Sequence, residues 1–343
     1  MRPAWYNTAK GKIVITIRSD AMTVTKRVPI YERTIPCGAF LVVNGHGVNV
    51  DLLKQRFSEG GYQIHQTSHF LLFTRLQAPS TIIVHWFSPE EMNDDIKHYL
   101  VQELKPFGIL TQSHQFGEIL TGIVGSLFPD DVQRSWRYFG TNTLQRFLTF
   151  LATAYTPPLP DYGTIGMFAT LYQRVCELSV GSSFLDVGCA SGFLPLLVAE
   201  RIPFLTEVVG VDIQPDAFEV AAGLAKERHL TNVRFVQADL LANDFSTLGQ
   251  YDTVVALHVL EHISERDMYY VLSNLLSVTV QRLILAVPYE QEIPEVAYGH
   301  LQLFSRTKLD STGAWCIQQL KGAGRIWCED CVGGLLLVER FRS

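Results

Sequence analysis

The sequence predicts an α/β fold, a doubly wound, mostly parallel sheet, preceded by a smaller N-terminal α/β domain and a helical connector. Three observations predict it. After Gly163, short apolar runs alternate with segments of helical periodicity. The runs, such as EVVGVDI and RLILAVP, are apolar almost throughout, as strands covered on both faces are. Glycines or carboxylates mark their ends, where ligands of such sheets sit, at the point where the strand order reverses.

The elements follow in order. Over residues 1–88, KIVITI and MTVTKRVPI suggest a hairpin turning at SDA, then AFLVVNG a strand and VNVDLLKQRFSEGG a helix closed by glycines. HFLLFTRL and TIIVHWF read as two further strands. Residues 89–162 form the connector or lid. SPEEMNDDIKHYLVQEL offers Ser88 as an N-cap with acidic residues in the first turn, where they complement the helix dipole. SWRYFGTNTLQRFLTFLATAY continues the helical pattern until TPPLPDYG breaks it. Trp136, Tyr138, Phe139 and Tyr155 are expected to pack in the core, with lining a pocket as the alternative. Residues 163–343 carry the regular alternation: FATLYQRVCEL as a helix, then strand SFLDVG, helix FLPLLVAERI, strand EVVGVDI, helix DAFEVAAGLAKERH and strand VRFVQAD. YDTVVAL, helix ERDMYYVLSNLLSVT, strand RLILAVP and the strand-like GGLLLVERF complete it.

Composition narrows the function class. The chain has 343 residues, 47% apolar and 18% charged, enough for two domains with a sizeable core. No apolar run approaches the roughly 18 residues of a membrane helix, and MRPAWYNTAKGKIVITIRSD has no secretory h-region; a cytoplasmic protein with no membrane partner is expected. Residues 1–150 carry 15 Lys/Arg against 12 Asp/Glu, and residues 151–343 carry 13 against 22. That distribution has no basic stripe, so no nucleic-acid partner is expected. Of six cysteines only CEDC has metal-like spacing, and no second pair completes a structural zinc site.

The loop Asp186, Val187, Gly188, Cys189, Ala190, Ser191, Gly192 joins a strand to a helix. A dinucleotide fingerprint needs G-x-G-x-x-G with pyrophosphate on the helix N-terminus. Here the spacing is G-x-A-x-G, and Asp186 would repel a pyrophosphate but favour an ammonium or sulfonium. Asp212 closes the next strand, in position to accept ribose hydroxyl protons, and Asp239 closes the third, in reach of an adenine amino group. Together the three are expected to form one ligand rim.

These motifs resemble those of class I S-adenosylmethionine (SAM)-dependent methyltransferases: FLDVGCASG the first motif, VVGVDI the ribose motif, VRFVQADL the adenine-side motif and YDTVVALHVLEHI the segment after the fourth strand. Alanine at 190 departs from the glycine often found there. The resemblance covers roughly residues 165–343. It implies a seven-stranded Rossmann-like methyltransferase sheet and S-adenosyl-L-methionine as cofactor. By position it implies Asp186, Gly188, Cys189 and Gly192 around the methionine part, Asp212 and Ile213 at the ribose, and Asp239 and Leu240 at the adenine, with His258 beside them. Weaker similarity of the layout, GFLPLLVAE, the PYE loop before YGH and GGLLLVER to mycofactocin oligosaccharide methyltransferases implies a sugar hydroxyl.

A hydroxyl acceptor needs a base, and imidazole, with an ordinary pKa of about 6.5, suits that task. His258 lies just past YDTVVAL; Glu261 and His262 follow at an expected helix start; His300 follows RLILAVP, in a loop that also holds Tyr289, Glu290 and Tyr298. These are the candidate catalytic residues. Metal binding is the alternative use of HVLEH and YGH, a divalent ion on a sugar or catechol-like diol; no metal is the first expectation. The expected partner is a small-molecule or glycan acceptor, O-methylated, with N- or C-methylation or SAM binding without turnover as alternatives, and a homodimer left open.

Overall fold

The computed structural model describes residues 34–75, 80–152, 163–290 and 299–341. The expected hairpin of KIVITI and MTVTKRVPI, the TPPLPDYG break, Tyr155 and Tyr298 lie outside them. Two compact units are present among the described residues. One takes in the chain up to Met92 with Tyr99–Leu110 and His114–Trp136; the other takes in Asn93–His98, Thr111–Ser113 and the chain from Arg137.

The first unit is built on a five-stranded sheet of β1 (Thr34–Cys37), β2 (Phe40–Asn44), β3 (Gln63–Gln66), β4 (Phe70–Thr74) and β5 (Thr81–His85), in the order β1-β2-β5-β4-β3. β2 and β5 run parallel and the other pairs antiparallel. Helix α1 (Val50–Glu59) starts at Asn49, whose side chain accepts from the Leu52 amide at 3.0 Å, and it lays Leu53 and Phe57 on Val43, Leu71, Phe73 and Val84. Ser88 does not cap a long helix. It caps a single 3-10 turn at Pro89–Glu91, with Glu91 reaching back to the Ser88 amide at 2.8 Å. That box satisfies the turn locally, and α2 (Ile96–Leu104) begins only after the Asn93 side chain has accepted from the Asp95 amide. Gly122 of α3 (Ser113–Gly125) faces the sheet so closely that a Cβ there would come within 2.6 Å of Val42 and 2.9 Å of the Cys37 sulfur.

The second unit carries most of α4 (Val132–Ala152), then α5 (Thr164–Leu178), β6 (Ser183–Val187), α6 (Phe193–Arg201), β7 (Glu207–Asp212), α7 (Phe218–Glu227) and β8 (Val233–Gln237). It continues through β9 (Tyr251–Leu257), α8 (Met268–Val278), β10 (Thr279–Val287), α9 (Arg306–Gln319), β11 (Gly324–Asp330) and β12 (Gly334–Arg340). The sheet has seven strands in the order β11-β12-β10-β9-β6-β7-β8, parallel except for the two pairs made by β12. Strand β11, which the apolar pattern does not mark, is an edge strand with exposed Arg325, Ile326 and Trp327.

Alternate residues of one strand serve opposite layers. Phe184 packs with Leu171 and Val175 of α5 and Leu194 and Val198 of α6, while Leu185 and Val187 pack with the α8 and α9 side of the sheet through Val271, Leu272 and Leu309. Both faces are dry, which is why the strands show no polar alternation. Each fully buried Leu, Val or Phe side chain contributes about 1.5–3 kcal/mol. From β6 the chain winds outward to β7 and β8, then crosses back to β9 on the other side of β6. The carboxyl ends of β6 and β9 therefore flank the switch point, the place where this topology opens a ligand crevice.

Candidate functional site

The loop after β6 is shaped by three left-handed residues in five. Gly188 has φ +76°, Ala190 φ +45° and Gly192 φ +73°. Backbone there is favourable for glycine alone, and at Gly188 and Gly192 packing adds a second constraint. A Cβ at 188 would stand 2.5 Å from a Val259 methyl, and one at 192 would stand 2.6 Å from the Phe235 ring. The amides of Gly188 and Cys189 both donate to the Val211 carbonyl, at 2.8 and 3.0 Å. Cys189 is buried, with its thiol against Gly210, and burial with Asp186 and Asp212 nearby pushes its pKa up.

Asp186 lies within β6 and is 4% exposed. Burial, and then the neighbouring Asp212, hold its pKa well above the usual carboxylate range. Asp212 ends β7 and ties two loops together: Oδ2 accepts from the Ala190 amide and Oδ1 from the Gln214 amide, both at 2.9 Å. Asp239, exposed two residues beyond β8, accepts from the Leu241 amide at 2.8 Å. Ile213 is 56% exposed and Leu240 is buried. Asp212 beside a buried Asp186 held toward its protonated form disfavours an anion, and a cation brought there would favour ionisation of Asp186. The arrangement fits an ammonium or sulfonium ligand and does not fit a pyrophosphate.

The other side of the switch point is richer in imidazole. His258 follows β9 with φ +53°, its amide donating to the Ala286 carbonyl at 2.9 Å and its ring edge on Phe168 of α5 at 5.3 Å. Its Nδ1 lies 3.1 Å from Glu261 Oε1, and its Nε2 is buried with no hydrogen-bond partner among the described residues. Glu261 and His262 lie on a 3-10 turn at Leu260–His262 where a helix start is expected. The turn does not extend into a helix; the Glu261 carbonyl accepts from the Leu301 and Gln302 amides, and the Gln302 side chain donates to the Leu260 and Ile263 carbonyls. That stitching brings His300 to His262, ring centroids 4.9 Å apart, and His300 Nδ1 lies 2.9 Å from Glu290 Oε2.

The comparisons agree with this geometry. Residues 184–281 match the model of a methyltransferase domain family. Those residues carry a methyltransferase domain, the kind the sequence motifs resemble. The domain is 29% identical over 192 residues to the release factor glutamine methyltransferase of Aliivibrio fischeri, covering 54% of this chain and 55% of that protein. It is 38% identical over 76 residues to the 2-heptyl-1-hydroxyquinolin-4(1H)-one methyltransferase of Mycobacteroides abscessus, covering 22% of this chain and 32% of that one. Thus the chain spans about half the length of the first relative and a third of the second. A solved structure of the small RNA methyltransferase HEN1 matches with a TM-score of 0.46 at 16% identity, over 55% of this chain and 27% of that one.

Two residues beside the methyltransferase motifs escaped the sequence reading. Phe168 forms the wall behind His258, and Tyr172, one turn later on α5, has its phenol pKa raised by burial first and by Asp186 next. Their signal was present: FATLY holds two aromatic residues one turn apart on the helix that leads into the first motif strand. Among the described residues, no helix is long and apolar enough to cross a membrane.

Proposed function

We propose that the chain transfers a methyl group from S-adenosylmethionine to a hydroxyl of a small molecule or sugar, with His258 as general base. One observation carries this reading. A buried imidazole nitrogen without a partner, His258 Nε2, stands at the carboxyl end of β9, at the switch point, while the opposite ring nitrogen lies 3.1 Å from a carboxylate. A base must be oriented by one neighbour and open to its proton donor on the other side.

When bound, the cofactor supplies an electrophilic methyl group on a sulfonium. Asp186, with Gly188, Cys189 and Gly192, would hold its cationic methionine end. Asp212 would accept from ribose hydroxyls with lone pairs left over from its two backbone bonds, with Ile213 beside it as an exposed apolar face. Asp239 and Leu240 would line the adenine side. His258 would take the hydroxyl proton of the acceptor on Nε2, with the Glu261 carboxylate, 3.1 Å from Nδ1, favouring the imidazolium that forms. His262 and His300 would face the acceptor from the next strand end.

The test is turnover of SAM with pooled hydroxylated acceptors, sugars and an RNA oligonucleotide as separate arms, read as S-adenosylhomocysteine formed. His258→Ala should slow an O-methylation by about 10² to 10⁴-fold with SAM affinity retained. Unchanged turnover in that variant would assign the chain to N- or C-methylation by positioning. No product with any acceptor, despite SAM binding, would make it a cofactor-binding protein without turnover.

A further inference from the structure

We propose that Glu261, His262 and His300 bind a divalent transition-metal ion. Glu261 is the decisive residue. It is 0% exposed, and neither carboxylate oxygen has a hydrogen-bond partner among the described residues. His258 Nδ1 approaches Oε1 to 3.1 Å but without the alignment of a hydrogen bond. An ionised carboxylate left in that condition is among the most unfavourable things a protein can bury, unless a cation completes it. A structural anchor would use its side chain; here the anchoring is done by the backbone. The Glu261 carbonyl accepts from the Leu301 and Gln302 amides at 2.7 and 3.3 Å, and the carboxylate takes no part.

The two imidazoles are held as metal ligands usually are. His262 Nδ1 lies 3.2 Å from the Gly299 carbonyl and His300 Nδ1 lies 2.9 Å from Glu290 Oε2. Acceptors at Nδ1 fix the tautomer that carries its lone pair on Nε2 and set the ring orientation, the usual arrangement around a bound metal. One donor atom from each of Glu261, His262 and His300 lies within 4.8 Å of the others. An ion about 2.0–2.2 Å from each donor requires them roughly 3–4 Å apart, so a side-chain contraction of about an ångström closes the site. Gln302 limits how far the backbone must move, because its Nε2 donates to the Leu260 and Ile263 carbonyls at 2.8 and 2.9 Å and locks the two segments together.

Two nitrogens and one carboxylate oxygen select Mn²⁺, Fe²⁺, Co²⁺ or Zn²⁺ over Mg²⁺ and Ca²⁺, which prefer all-oxygen cages. Three protein ligands leave coordination positions open. The ion's use rests on the function proposed above: an acceptor with neighbouring hydroxyls would fill those positions beside His258. The ion site itself does not depend on that reading.

The experiment uses the full chain, stripped by dialysis against a chelator and titrated with Mn²⁺ or Co²⁺ alone, without SAM or acceptor. Calorimetry should show one site per chain, and Co²⁺ should give visible d–d absorption. Glu261→Gln should abolish both. Glu290→Gln, which touches only the outer contact of His300, should weaken binding by about 10- to 100-fold. Thermal melts with and without the ion separate this from a folding defect: the ion should raise the midpoint of the wild type and leave that of Glu261→Gln unmoved. No saturable binding in the wild type, or equal binding in Glu261→Gln, overturns the site. SAM titrated into the same stripped protein reports on the cofactor reading separately, so loss of one is not loss of the other.

Discussion

The two sides of the switch point use carboxylates in opposite ways. At the ends of β7 and β8, Asp212 and Asp239 accept from backbone amides, building the turns they sit in while facing the ligand rim. Past β9, Glu261 is buried and its carboxylate builds nothing. The side proposed for the cofactor is thus tied to its own backbone, whereas on the side proposed for the acceptor the Glu261 carboxylate makes no hydrogen bond among the described residues. The largest effects of substitution should follow that division: turnover on the acceptor side, cofactor affinity on the other.

The sharpest break is the His258→Ala variant, whose loss of about 10² to 10⁴-fold in rate should appear with cofactor affinity unchanged. Next comes Asp212→Ala. It removes two charge-assisted bonds to the Ala190 and Gln214 amides, each worth about 1.5–3 kcal/mol, along with the proposed ribose contact. SAM binding measured by calorimetry should weaken by well over about tenfold, and the midpoint of thermal unfolding should fall with it. If only the midpoint falls, Asp212 is a loop builder and not a cofactor ligand.

How much of this was legible follows from the same contrast. Asp186, Asp212 and Asp239 could be read because each stands at or within two residues of a strand's carboxyl end, which is a local pattern. The glycines were legible as positions but not in their reason: Gly188 and Gly192 are held by Val259 and Phe235, side chains distant in sequence. HVLEH and YGH could be put together as an alternative metal set, while the contact that joins them could not be read, since it depends on Leu301 and Gln302 pairing with the 3-10 turn. Strand β11 was missed for a physical reason as well. An edge strand has one open side, and Arg325 and Trp327 on it weaken the apolar signal.

Asp186 gives a smaller effect with a definite sign. Its folded-state pKa is raised, so the folded chain holds a proton that the unfolded chain releases above about pH 3.9. Stability contributed by that proton is present at low pH and declines as pH rises toward the folded value. Asp186→Asn removes the decline. In the absence of cofactor it should raise the unfolding midpoint at neutral pH while leaving it near the wild type at about pH 4. A cationic ligand favours the ionised carboxylate, so SAM affinity of the wild type should increase with pH, and the asparagine variant should lose that slope. A variant that binds SAM with the wild-type slope would remove Asp186 from the cofactor contacts.

The smallest effect tests how far the loop is strained for function. Ala190 holds φ +45°, a conformation that costs an L-residue about 1–2 kcal/mol, yet its amide bond to Asp212 at 2.9 Å keeps it there. Ala190→Gly relieves that strain and adds back about 0.5–1 kcal/mol of chain entropy in the unfolded state. The net gain in stability should be about 0–1 kcal/mol by chemical denaturation, with SAM affinity within about twofold of the wild type. A loss of stability would mean that the alanine methyl, exposed in the loop, packs on something that compensates for the backbone.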